Sequence, residues 1–105
     1  MAYRIEQSTA SIQDYIDILD YMTGTLFSLT AARRFNNEME ACYNRLTGNP
    51  LIYPVCRDET LAMKGIRIAP VMRYLVFYAV DKEKKIVRIH RIFHGARDYK
   101  QQEME

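Results

Sequence analysis

At 105 residues the chain has room for one domain and a single core, and is too short for two. Its 49% hydrophobic and 27% charged content excludes a disordered chain. No stretch nears the ~18 apolar residues of a membrane helix and no signal-peptide pattern opens the chain, so a cytoplasmic protein without a membrane partner is expected.

The first element is Tyr3–Glu6, where apolar and polar residues alternate as in a short, half-buried strand. A helix follows, capped by Ser8 or by Ser11 of the Ser11-Ile-Gln-Asp14 segment. Ile12, Tyr15, Ile16, Leu19 and Met22 recur at three- and four-residue steps, so they form its apolar face, with Asp14, Asp17 and Asp20 outside; Gly24 is its expected end. Ser28 or Thr30 caps a second helix whose seam is Ala32, Phe35, Met39, Cys42 and Leu46, widened by Tyr43. The short connection at 24–27 makes the two an antiparallel hairpin. Gly48-Asn49-Pro50 closes the second helix, with Gly48 as a left-handed cap ahead of a proline.

Residues 51–64 have no clear period and read as a loop with one irregular strand. Ile66–Ile68 is a brief strand that ends near Pro70. Tyr74–Val80 is continuously apolar and rich in β-formers, as in a central strand covered on both faces. Asp81–Lys85 is a charged hairpin turn. In the paired strand Ile86–His94, strict alternation puts Val87, Ile89 and Phe93 on one face and Arg88, His90 and His94 on the other, with Arg91 interrupting the apolar face. The result is an α+β fold over residues 1–105: N-terminal strand, antiparallel two-helix hairpin, antiparallel β-meander. The first strand joins the sheet at an edge or beside the last strand.

Charge is unevenly spread. Residues 57–100 carry eleven basic against five acidic residues, a net +6, and the remainder four against eight, a net −4. A basic half can draw RNA, DNA or an acidic protein segment, and charge alone does not choose among them. Cys42 and Cys56 have no metal-ligand spacing; Cys42 lies on an apolar helix face as a buried thiol, and a disulfide is unusual in a reducing compartment. No metal or cofactor is expected.

The order strand–helix–helix–meander, with Ala32-Arg-Arg-Phe35, Gly65-Ile-Arg67, Tyr74-Leu-Val-Phe-Tyr78 and Arg91-Ile-Phe-His-Gly-Ala-Arg-Asp98, resembles the RelE/ParE toxin superfamily over nearly the whole chain. The resemblance implies a toxin of a type II toxin–antitoxin (plasmid stabilization) system, held inactive by a cognate antitoxin. ParE-like members poison DNA gyrase; RelE-like members cut mRNA on the ribosome. The ending Arg91–Asp98 is more similar to the ParE side.

As a nuclease, the chain would need a base, an acid and positive charge on the phosphate. His94, Arg97 and Tyr99 are the catalytic candidates on that reading, with His90 a weaker one. Arg67, Arg73, Arg91 and Arg97 are the candidates for target or phosphate binding. Where the resemblance leads one to look for a central-strand arginine stands Leu75, and Ile66 and Ile68 replace lysines. A gyrase-type inhibitor needs only a binding surface and is the leading expectation. A ribosome-dependent endoribonuclease is second, and a non-toxic nucleic-acid-binding module third. Apolar surface normally covered by an antitoxin can also drive self-association into a homodimer.

Overall fold

Each strand and helix boundary in the computed structural model, which describes residues 2–96, has a local chemical cause. Strand β1 is Arg4–Gln7, α1 is Thr9–Asp20, and a π-helical turn occupies Tyr21–Thr25. Helix α2 spans Leu29–Gly48 and a one-turn helix, α3, spans Glu59–Met63. Strands β2 (Arg67–Val71), β3 (Tyr74–Asp81) and β4 (Ile86–His94) complete a four-stranded sheet in the order β1-β4-β3-β2.

Of the two candidate caps for each long helix, the more N-terminal serine is used. The Ser8 hydroxyl accepts from the Ser11 N–H and the Ser28 hydroxyl from the Ala31 N–H, both at 3.0 Å. The helices form an antiparallel hairpin: Met22 is joined to Ser28, Tyr15 stacks on Phe35, and Thr47 bonds back to Tyr3. In α2 the expected seam is buried at Phe35, Met39, Cys42 and Leu46.

Helix α1 departs from its expected orientation. Ser11 and Ile18 are buried, whereas Ile12 and Ile16 are exposed and Asp14 turns inward. The cause lies in β4. Strand β1 runs parallel to β4 only over Ile86–Ile89, so the edge of β4 beyond that point has no neighbouring strand. Helix α1 lies along that edge and supplies the missing partners: the Ser8 hydroxyl donates to the His90 carbonyl (2.7 Å), and the Asp14 carboxylate accepts from the Ile92 N–H (2.9 Å). The rotation that brings Asp14 to the strand carries Ile12 and Ile16 outward.

Gly24 does not end the first helix as expected. The α winding stops at Asp20 and widens into the π turn, which contains Gly24 without a positive φ. Gly48 likewise has no left-handed conformation; α2 ends because Asn49 turns extended (φ −148°) ahead of Pro50. The left-handed glycine is Gly65 (φ +75°), immediately after the 51–64 segment expected to be mostly loop. There the Asp58 carboxylate caps α3 at the Leu61 N–H. Gly65 and Ile66 then donate to the Ala62 and Leu61 carbonyls, a double-bonded helix stop that also packs Ile66 on Leu61. The irregular strand reduces to one bridge, Val55 with Arg67. Strand β2 runs through Pro70 to Val71, which an edge strand tolerates because one side of its ladder is unpaired.

The sheet is buried on both faces, as the sequence of β3 requires. Val76 and Tyr78 of β3 join the helix-side core with Phe35, Met39 and Leu46, whereas Phe77 joins Cys56, Leu61, Ile66 and Phe93 behind the sheet. Strict alternation fails in β4. Tyr78 pairs with Ile89 and Phe77 with Arg91, leaving His90 as the extra residue of a bulge. After it the faces exchange, so Ile92 joins Val87 and Ile89 in the helix-side core while Phe93 goes to the opposite cluster.

The bulged His90 has a measurable consequence. Its Nδ1 is buried with no hydrogen-bond partner among the described residues, and burial, followed by the charges of Arg88 and Lys64, lowers its pKa from the ordinary 6.5. The folded state thus binds fewer protons than the unfolded state just below pH 6.5. Stability should be fully present above that pH and fall as pH drops through the depressed folded value. Urea unfolding between pH 7 and 5 should show this slope, and His90→Gln should flatten it. Parallel slopes for both proteins would refute the assignment.

Candidate functional site: a cleft between the helix hairpin and the sheet

The β2–β3 turn and the end of β4 meet the helix-hairpin tip around a cleft of about 670 Å³. Buried Ile18, Met22 and Ile92 and the exposed Leu26 line it, with Met72, Arg73 and His94 exposed on its sheet side. Asp17 and Tyr21 stand on the helix side. Arg73 and His94 are drawn together by one bond: Gly95 N–H donates to the Arg73 carbonyl at 2.8 Å. A Cβ on residue 95 would sit 3.2 Å from that carbonyl, a tight contact that glycine avoids.

His94 has a defined orientation. The Ala96 N–H donates to its Nδ1 (3.1 Å), so the neutral ring carries its proton on Nε2. Its ring meets Tyr74 edge-on at 5.4 Å, and Tyr74 in turn meets Phe35 at 5.2 Å. Burial, with a smaller contribution from Tyr21, raises the Tyr74 pKa, so its hydroxyl keeps its proton at neutral pH.

Among the described residues the basic candidates, Arg67, Arg73 and Arg91, are not gathered into one site. Arg67 lies at the far end of β2, where its Nη1 donates to the Tyr53 carbonyl (2.6 Å) and ties down the 50–56 loop beside Tyr78, whose hydroxyl donates to the Pro50 carbonyl. Arg91 is held by Asp14 through two bonds, Nε at 2.8 Å and Nη2 at 2.9 Å, with its guanidinium 4.6 Å from the Phe93 ring centre. Arg73 is exposed at the cleft mouth. Arg97 and Tyr99 lie outside the described residues. Among the described residues no group of His, Cys, Asp and Glu is placed to hold a metal ion, and no helix is long and apolar enough to cross a membrane.

Sequence reading missed the hairpin-tip wall of this cleft, Tyr21 to Leu26, because it placed Met22 on a regular helix ending at Gly24 and took residues 24–27 as a plain connection. The available signal was a run of large apolar residues, Leu26-Phe27 and Leu29, where a connection is ordinarily polar.

A family model for the ParE toxin of type II toxin–antitoxin systems (parDE) matches residues 5–99. The chain belongs to the ParE toxin family. No curated protein matches this ParE-family chain in sequence. Solved structures share its fold. The RelBE2 toxin–antitoxin complex of Mycobacterium tuberculosis contains a chain that superposes with a TM-score of 0.62 at 20% identity, over 90% of this chain and 99% of that one. A mutant of the E. coli toxin RelE in the free state superposes with the same score at 13% identity, over 91% of this chain and 86% of that one. The α+β architecture expected from the sequence is therefore that of RelE-like toxins, and the membership of this ParE-family chain rests on the family model.

Proposed function

We propose that the chain is a ParE-like growth inhibitor that acts on DNA gyrase by binding, and that a cognate antitoxin neutralises it by covering the same surfaces. The observation that carries this reading is the make-up of the cleft: its lining is largely apolar and includes two carboxylates, Asp14 and Asp17, as well as Arg73 and His94. Such a surface suits a protein segment. A polyanionic RNA strand entering there would meet Asp17, and Arg91, already neutralised by Asp14, has little attraction to offer its phosphates. The family model supports a ParE-like toxin of a type II system, and the RelBE2 complex supports an antitoxin partner.

A second reading, a ribosome-dependent endoribonuclease, draws on one observation: His94, its Nδ1 engaged by the Ala96 N–H, lines the same cleft as Arg73. One experiment separates the two. The chain is induced in bacteria with and without its adjacent antitoxin gene, and gyrase supercoiling and message 5′ ends are followed together. Growth arrest reversed by the antitoxin, lost supercoiling and unchanged message ends are expected. New cuts within messages, abolished by His94→Ala, would favour the nuclease, and absence of growth inhibition would remove both readings. Steeply salt-dependent binding to naked DNA or RNA, without toxicity, would point to a nucleic-acid-binding module.

A further inference from the structure

Helix α1 is held to the sheet by polar bonds more than by apolar burial. Of its 12 residues, Ser11 and Ile18 are buried, whereas Ile12 and Ile16 are each 45% exposed. Its attachment begins at one side chain. The Ser8 N–H donates to the Ile89 carbonyl (2.9 Å) and the Ser8 hydroxyl to the His90 carbonyl (2.7 Å). The same hydroxyl accepts from the Ser11 N–H, and the Ser11 hydroxyl donates back to the Ser8 carbonyl (2.9 Å). The cap of the helix and its bond to the strand are one group.

That bond ends on the least supported residue of β4. As the extra residue of the bulge, His90 has no register partner on β3, so the ladder does not fix it on that side. Its ring is half-buried, and its buried Nδ1 has no hydrogen-bond partner. A neutral ring can leave Nδ1 without a proton. An imidazolium cannot: it places a second N–H and a charge where no acceptor stands, and the charges that bear on it are cations, Arg88 on its own strand and Lys64 at the end of α3. Glu6 of β1 is engaged with Arg88 and Asp14 of α1 with Arg91, while Tyr78 of β3 turns its hydroxyl to the Pro50 carbonyl. A protonated His90 therefore gains by reaching water, and residue 90 has to move to do so.

We propose that the His90 bulge is a proton-operated latch: protonation of the ring displaces residue 90, breaks the Ser8 bond to its carbonyl, and releases α1 from the edge of β4 while α2 and β3 stay folded. Asp14, Asp17 and Ile18 of α1 line the cleft, so release removes one of its walls. What this does to target binding rests on the proposed function; the latch itself does not.

Residue-resolved NMR of the purified full-length chain between pH 8 and pH 5 tests it, independently of any gyrase or growth readout. The His90 ring and the amides of Ser8, Ser11, Ile12 and Ile92 should titrate with one midpoint below 6.5, with α2 and β3 resonances still native there. In hydrogen exchange those α1 and Ile92 amides should be less protected than the amides of β3. Their protection should be level above pH 6.5 and fall below it by up to about tenfold per pH unit, the limit for one proton. His90→Gln should remove the common titration and flatten the fall. A wild-type ring that titrates without moving the α1 amides overturns the proposal, with no variant needed. So does loss of α2 and β3 resonances at the same midpoint, which is global unfolding, or an unchanged acid response in His90→Gln.

Discussion

Asp14→Ala should cost about 3–5 kcal/mol of folding stability, the range for removing one partner of a buried ion pair. The carboxylate accepts three hydrogen bonds, from Arg91 Nε, Arg91 Nη2 and the Ile92 N–H. Its side chain is 11% exposed and that of Arg91 19%, so water cannot readily replace what the substitution removes. The variant removes two hydrogen bonds from the Arg91 guanidinium and leaves the Ile92 N–H unpaired on the edge of β4 that β1 does not cover. Urea unfolding at neutral pH is the measurement, with the midpoint shifting at constant m. Asp14→Asn should lose less, since an amide oxygen still accepts from Ile92. The double variant Asp14→Ala, Arg91→Met should recover part of the loss, because it also removes the part-buried cation whose carboxylate has gone. A single-variant cost under about 1 kcal/mol, the value of a solvent-screened surface pair, would contradict this account.

Phe35→Ala should be comparably damaging, again about 3–5 kcal/mol. Phe35 is completely buried, and its ring is met edge-on by Tyr15 and Tyr74, each with centroids 5.2 Å away. Truncation opens a cavity between α2 and β3 and removes two aromatic contacts, each worth about 0.5–1.5 kcal/mol beyond area burial. The effect should reach the cleft, because Tyr74 also buttresses His94. A lower thermal midpoint together with broadened or shifted His94 imidazole resonances is therefore expected. With a domain stability of roughly 5–15 kcal/mol, either variant removes a large share of what holds the fold. An unchanged His94 signal in a destabilised Phe35→Ala protein would show that the aromatic chain does not position the imidazole.

Much of the architecture was legible because it is written locally. The α2 seam repeats every three or four residues and is buried at Phe35, Met39, Cys42 and Leu46. The unbroken apolar run of β3 called for cover on both faces, and cover is present in two separate clusters. The edge position of β1 beside β4 followed from the helices that separate it from its sequence neighbours. Arg73 and His94 could be named from the sequence as candidates, and the fold places them at one cleft mouth. Their company there could not be foreseen. Tyr21, Leu26 and Met72 line the cleft because of a π turn and a tight β-turn, neither of which leaves a periodic trace.

The sequence by itself determined the order of the long helices and strands, the α2 seam and the α+β class, and narrowed each helix cap to two residues. Each of these is set by residues within a few positions of one another, where spacing alone decides which side chains share a face. Tertiary structure alone decided which side of α1 is buried, where β4 changes face, and which basic residues are already engaged. Those outcomes depend on partners far apart in the chain: Asp14 and Arg91 are 77 residues apart, and the bulge at His90 exists only in register with β3. The carboxylate that looked like part of an acidic outer surface became the partner of a strand edge. An unpaired strand N–H and a partly buried guanidinium are costlier than two isoleucines left half in water.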